Sequence, residues 1–340
     1  MLVLGAVLMA TLITADDPVA KVTVDEGKRL VVVTAGPFHV PSMPPGMNHE
    51  DMEMMNDHNT PLVRFEWPIQ GFLRGFKVEI EDAEGKALDR RMIHHLIGVN
   101  FARRQLLYSA VERLFGIGQE TDDVSAPRTI GVPMTPGDKL GMYMAWQNET
   151  GKDLDGVVIR VVFEYSPPNL NPRPLAALPI YMDVNLTVGG SNSYDVPPGK
   201  SEKAYEFTMP IGGRLLGFGG HLHDFGSSVR LEEVVSGKVV ATVTAARDGS
   251  GKVSKVSRSL PGVGGDGIKL EKGKRYRVVG VYDNPTSETV ARGAMAHISG
   301  LFAPDDYSAW PKLDLSDETL QDDLASLNEM GRSGGGHSHH

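Results

Sequence analysis

The chain has 340 residues, with 34 Lys+Arg against 43 Asp+Glu and no cysteine. That length fits two domains or one large one, and 41% hydrophobic against 23% charged residues supplies a core and excludes wholesale disorder. A formal charge of −9 argues against a nucleic-acid partner, and without cysteine there are no disulfides, thiolate metal sites or cysteine nucleophiles, so a metal has to be held by His, Met, Asp or Glu.

Residues 1–15 read MLVLGAVLMATLITA, followed by Asp16, Asp17 and Pro18. An apolar run shorter than the ~20 residues of a membrane-spanning helix matches the hydrophobic part of a secretory signal, with cleavage after Ala15. The expectation is a secreted or periplasmic protein without a transmembrane anchor; a buried first strand is the alternative. Stretches rich in Val, Ile and aromatics predict strands over 29–34, 75–81, 94–101, 140–146, 157–165, 181–188, 229–235, 276–282 and 296–302. Turn signals such as Asp82-Ala83-Glu84-Gly85, Pro136-Gly137-Asp138 and Pro197-Pro198-Gly199 separate them. Leu106, Leu107, Ala110, Val111 and Leu114 recur at helical spacing and predict a helix over 104–115; a second is expected over 316–330 in an acidic tail.

Prolines at 167, 168, 172, 174 and 179 mark a domain boundary. The two sides share a weak echo: LGMYMAWQNET at 140–150 resembles RVVGVYDNPT at 277–286, each a strand ending in an aromatic, one residue, Asn, one residue and Thr. A duplicated, all-β protein is the simpler reading, with two tandem antiparallel β-sandwiches over 20–166 and 178–312 and an acidic, His-containing tail over 313–340. Asn148-Glu149-Thr150 and Asn185-Leu186-Thr187 also fit the pattern of glycosylation acceptors.

The segment Gly219-Gly220-His221-Leu222-His223-Asp224 carries the most chemistry. On a strand, residues i and i+2 face one side, so His221 and His223 present two imidazoles to one point, as a copper, zinc or nickel site requires. Asp224 is placed to accept from an imidazole and fix its tautomer. Met295 and His297 share a face in what reads as the last strand of the same half; a thioether is a soft donor that favours Cu(I). In the first half His94 and His95 are adjacent, and both reach one metal only if the strand bulges or ends there. Residues 38–60 hold His39, Met43, Met47, His49, Met52, Met54, Met55 and His58, soft donors fit to collect copper or complete the His94/His95 site. The tail histidines His337, His339 and His340 are either further ligands or a purification remnant.

With His94-His95 in one sandwich and His221-Leu222-His223 plus Met295 in the other, the order resembles that of the copper type II, ascorbate-dependent monooxygenases, the peptidylglycine α-hydroxylating and dopamine β-hydroxylating enzymes. The resemblance spans the layout of residues 22–311. It implies two jelly-roll sandwiches, an electron-transfer copper on His94 and His95, and an oxygen-binding copper on the catalytic residues His221, His223 and Met295. It further implies an external electron donor such as ascorbate and a small-molecule or peptide substrate. The family's further first-site histidine falls near 140–146, where this chain has Met142 and Met144; Met144, His39, His49 or His58 then completes that site.

Three functions compete: a copper monooxygenase, a non-enzymatic envelope protein that binds or delivers one or two copper ions, and a metal-free paired jelly roll used for recognition, similar in architecture to peptide-N-glycosidase F. The number of separable coppers discriminates among them.

Overall fold

The computed structural model describes residues 19–44, 60, 62–188 and 190–329. The expected signal segment, His49, His58 and the tail histidines lie outside the described residues.

The first half forms β1 (Val19–Asp25), β2 (Leu30–Val40), β3 (Val63–Glu66), β4 (Gly71–Glu81), β5 (Ile93–Arg104), β6 (Val111–Gly118), β7 (Val124–Ser125), β8 (Ile130–Met134), β9 (Lys139–Trp146) and β10 (Leu154–Ser166). The second forms β11 (Leu175–Ala176), β12 (Leu178–Asp183), β13 (Tyr194–Val196), β14 (Gly199–Thr208), β15 (Gly213–Leu222), β16 (Gly226–Glu233), β17 (Val239–Arg247), β18 (Val253–Val256), β19 (Ile268–Leu270), β20 (Arg275–Asn284), β21 (Val290–Ala294) and β22 (Ala296–Pro304). A helix, α1 (Glu318–Glu329), closes the described chain.

Both halves are jelly rolls. In the first, the antiparallel sheet β2-β10-β4-β8 lies over β3-β9-β5-β6; in the second, β12-β22-β15-β19 lies over β14-β20-β16-β17. Counting eight strands in chain order within each half gives the same arrangement twice, 1-8-3-6 over 2-7-4-5. The alternation of the strands fills each interior: Val31, Val33, Leu96, Leu140, Met142, Met144, Val161 and Phe163 in the first; Leu215, Leu222, Val229, Leu231, Val278 and Phe302 in the second.

The echo between the halves is a shared structural device. Asn148 donates from its amide to the carbonyls of Val40 and Lys152 and accepts from the amide and hydroxyl of Thr150. Asn284 does the same with Val196, Glu288 and Thr286. Each asparagine is fully buried at the end of its strand and ties three chain segments together. Asn148 is therefore a staple and not an exposed glycan acceptor.

Two sequence expectations fail here. No helix forms over 104–115: the chain finishes β5, turns, and returns as β6. β6 is buried on both faces, so the alternation that marks a half-exposed strand is absent and the apolar residues mimic a helical stripe. The strand expected over 181–188 stops at Asp183, whose carboxylate accepts the Asn185 amide and turns the chain. The expected C-terminal helix is present as α1. It returns to the first sandwich, where Leu320 and Leu327 pack with Val99 and Val111, and buried Asp323 holds the Arg113 guanidinium through two 2.7 Å hydrogen bonds.

Candidate metal centre

β5 begins after a short 3₁₀ turn at Arg90–Met92 capped by the Asp89 side chain. Ile93 pairs with Trp146 and His95 with Ala145, so two steps on β5 match one on β9 and His94 occupies a bulge. Adjacent side chains on a regular strand diverge; here the bulge brings the His94 and His95 rings to 3.9 Å between centroids. The sequence condition for both to reach one metal is met.

From the second sandwich, β15 carries His221 opposite His297 of β22. Gly220 allows this pairing, because a Cβ there would stand 2.4 Å from the His297 carbonyl oxygen. Gly220 and Leu222 face the interior of their own sandwich, which turns His221 and His223 outward toward the first sandwich. Tyr282 fixes the turn after β15: its hydroxyl accepts the His223 amide at 3.2 Å and donates to the Met295 carbonyl. Phe225, in the left-handed region at φ 66°, completes that turn.

The imidazoles of both halves meet at the interface. His94 and His223 lie 5.7 Å apart between ring centroids, His95 and His223 5.9 Å, His95 and His221 5.1 Å, and His221 and His223 4.7 Å. One ligand atom from each of His94, His95 and His223 lies within 4.8 Å of the other two. A tetrahedral ion about 2.1 Å from each nitrogen needs them about 3.4 Å apart, a small rotation of each ring. His94, His221 and His223 are only 8%, 7% and 6% exposed, so the group is enclosed.

The residue that sequence reasoning missed is Glu120. It follows β6 in the first sandwich and reaches across, its Oε1 2.6 Å from Nδ1 of His221. Gly118 leaves room for it; a Cβ there would meet a carboxylate oxygen at 2.3 Å. With Nδ1–H donating to Glu120, His221 presents Nε2, which is buried and has no hydrogen-bond partner among the described residues. A carboxylate that fixes the tautomer and leaves the other nitrogen open is how proteins prepare an imidazole for a metal. Burial works against a charge on His221, but the carboxylate outweighs it and holds its pKa above the ordinary value.

The remaining candidates divide. His297 flanks the group, 5.4 Å from the His221 ring, with Nδ1 3.4 Å from the Tyr181 hydroxyl; burial and then the neighbouring His221 push its pKa well down. Tyr181 donates to Asp183, whose pKa burial raises to about 6. Met295 stands beside His223 in the register, and what it contributes among the described contacts is its backbone carbonyl. Two expectations are corrected. Met144 is sealed in the first core opposite Leu96, on the face away from His95. His39 is exposed and pairs with Asp155 at 2.6 Å, away from the cluster. Asp224 accepts the Val253 amide at 2.8 Å, and Glu120 is a carboxylate seen bonded to an imidazole. The two copper sites implied by the family resemblance are also not separate, since their histidines share one location.

No family model and no curated protein matches the chain. Among solved structures it is similar to PNGF-II at 8% identity, over 80% of this chain and 66% of that one, with a TM-score of 0.42. It is similar to the STIV MCP at 8% identity, over 73% and 93%, with a TM-score of 0.36. The major capsid protein P2 of bacteriophage PM2 matches at 11% identity, over 79% and 99%, with a TM-score of 0.35. Likeness this loose bears on neither activity nor ligand.

Proposed function

We propose that the chain is a metal-binding paired jelly roll in which His94, His95, His221 and His223 hold one transition-metal ion, copper before zinc, between the sandwiches. The observation that carries this reading is the open, buried Nε2 of His221, prepared by Glu120 and set beside three clustered imidazole donors. All-imidazole sites accept copper, zinc, nickel or iron, and the Irving–Williams order puts Cu²⁺ first among the divalent ions. Four neutral ligands leave the ion's charge to be offset nearby, a role Glu120 fills.

Binding or delivery of copper in an envelope or extracellular setting fits better than monooxygenase chemistry. The monooxygenase reading asks for two distinct coppers, a sulfur ligand and a cleft open to substrate. Here the two histidine motifs coincide, and three of the four rings are almost fully buried. A catalytic ion keeps a coordination position open to substrate, whereas an enclosed one serves binding or structure.

The test is Cu²⁺ titration of the full chain with metal analysis and electron paramagnetic resonance, on wild type, His94→Ala and His221→Ala. The difference between wild type and variants isolates this site from the terminal histidines. One tightly held copper with nitrogen couplings, lost in both variants, is the expected result. Two separable coppers, with substrate-dependent O₂ consumption in ascorbate, would restore the oxygenase. Failure to retain copper, zinc, nickel or iron would leave the metal-free recognition module.

A further inference from the structure

We infer that the ion at this cluster is the latch between the two sandwiches, so that metal binding and docking of the halves are one linked equilibrium. The inference rests on the metal reading above and adds what the ion does to the protein.

The donors are split across the interface. His94 and His95 come from β5 of the first sandwich, His221 and His223 from the end of β15 in the second. The orienting carboxylate crosses in the same way, from Glu120 in the first half to His221 in the second. Neither half alone assembles the site, so an ion bound by all four rings has to hold both halves together.

Away from the cluster the seam has an apolar patch, where Ile130 of the first sandwich clusters with Ala177 and Leu216 of the second, and close to the cluster its bonds are polar. The Asp183 amide donates to the Tyr108 hydroxyl at 3.0 Å, and the Val256 amide donates to the Glu120 carbonyl at 3.3 Å. Lys255 and Arg258 pair with Asp122 at 2.7 and 3.4 Å, all with exposed or half-exposed side chains. Ion pairs of that kind contribute little. The part of the seam at the cluster is filled by imidazoles and a carboxylate, groups that cost free energy to bury unless they are fully bonded. The vacant His221 Nε2 is such a cost, and an ion removes it. Where a metal binds only the docked form, its binding free energy becomes docking free energy.

The connections that remain define a hinge. Residues 167–177 link the sandwiches, tied by β11 running parallel to β8. On the far side, α1 and Trp310, whose indole N–H donates to the Arg104 carbonyl, keep the second half tethered to the first. Loss of the ion therefore loosens the seam around Glu120 without separating the halves or unfolding either sandwich.

Hydrogen exchange read by mass spectrometry on the full chain tests this, first stripped by a chelator and then with Cu²⁺ at about 100 times its dissociation constant, with bound copper measured in the same samples. If release requires opening, mass action slows exchange of the crossing amides, Asp183 and Val256, by up to about 100-fold. Amides inside the sandwiches, such as Val161 and Val278, should change less than about 3-fold. His221→Ala should remove the copper-dependent slowing while those interior amides report that the variant is folded; Glu120→Gln, the milder change, should reduce it. Bound copper with unchanged exchange at Asp183 and Val256 would overturn the latch and leave the metal reading standing. Absence of bound copper would instead remove the metal reading, and the latch with it.

Discussion

Glu120→Gln probes the centre most directly, because it removes a charge while nearly preserving shape. In the wild type the carboxylate accepts a hydrogen bond from His221 Nδ1–H over 2.6 Å, with side chains only 6% and 9% exposed, so solvent cannot replace the bond. A hydrogen bond to a charged group is worth about 1.5–3 kcal/mol and a neutral one about 0.5–1.5 kcal/mol, leaving a difference near 1–1.5 kcal/mol. At 1.4 kcal/mol per decade that is about a 10-fold loss of metal affinity, at the lower end of the 10–100-fold range for partners of metal-bound histidines. Competition against a chromogenic chelator at pH 8 measures it, with Asp155→Asn as the control. Asp155 pairs with the exposed His39 on the surface, so its replacement should leave affinity unchanged. If folded Glu120→Gln binds the ion within 2-fold of wild type, or Asp155→Asn weakens it as much, then Glu120 does not prepare His221.

Asn148→Ala and Asn284→Ala should each cost about 1–3 kcal/mol in urea unfolding, since each strands the carbonyl of a buried valine and opens two part-buried bonds in its turn; a large inequality would show that the two staples are not equivalent. Asp323→Ala leaves Arg113 and the Val111 amide without their acceptor; as Arg113 stays about a quarter exposed, the expected loss is about 3 kcal/mol, and a loss below 1 kcal/mol would refute the clamp. Asp183 titrates near 6 when folded against an ordinary value of 3.8, so its protonated form favours folding. That contribution is complete below pH 4, is lost as pH rises through 6, and amounts to about 3 kcal/mol at most. In chelator, Asp183→Asn should flatten the fall in stability between pH 4 and 6; an unchanged slope would reject the assignment.

The strand pattern was legible because both sandwiches keep one face toward an interior: eight of the nine expected strands fall on observed ones, although β2 runs six residues past its expected end and β4 starts four residues earlier. β6 escaped because the first core lines one face of it, while α1 and the second sandwich cover the other. Gly116 and Gly118, poor helix formers, were the available warning. His94 and His95 could be singled out as a pair, but the bulge that joins them depends on β9 across the ladder. Glu120 lay beyond reach for a different reason. Its partner is 101 residues away and in the other sandwich, and nothing local separates it from the 43 acidic residues of the chain. Asp224 had the better local argument, sitting beside His223, yet the turn at Phe225 directs its carboxylate to the Val253 amide.

The contrast between what the halves share and what they do not bears on how the site exists at all. The asparagine staple recurs at the same place in each jelly roll, so it belongs to the fold. The histidines do not recur. His94 and His95 open the fourth strand of the first sandwich, and the matching strand of the second, β16, opens on Gly226. His221 closes the third strand of the second sandwich, and the matching β4 closes on Ile80 and Glu81. Each half contributes a fragment that is chemically incomplete: a bulged histidine pair and a carboxylate, Glu120, on one side, and on the other a strand pair whose His221 depends on that carboxylate. A centre built this way is a property of docking rather than of either fold, which is why its donors, its carboxylate and the bonds of the seam occupy the same few residues.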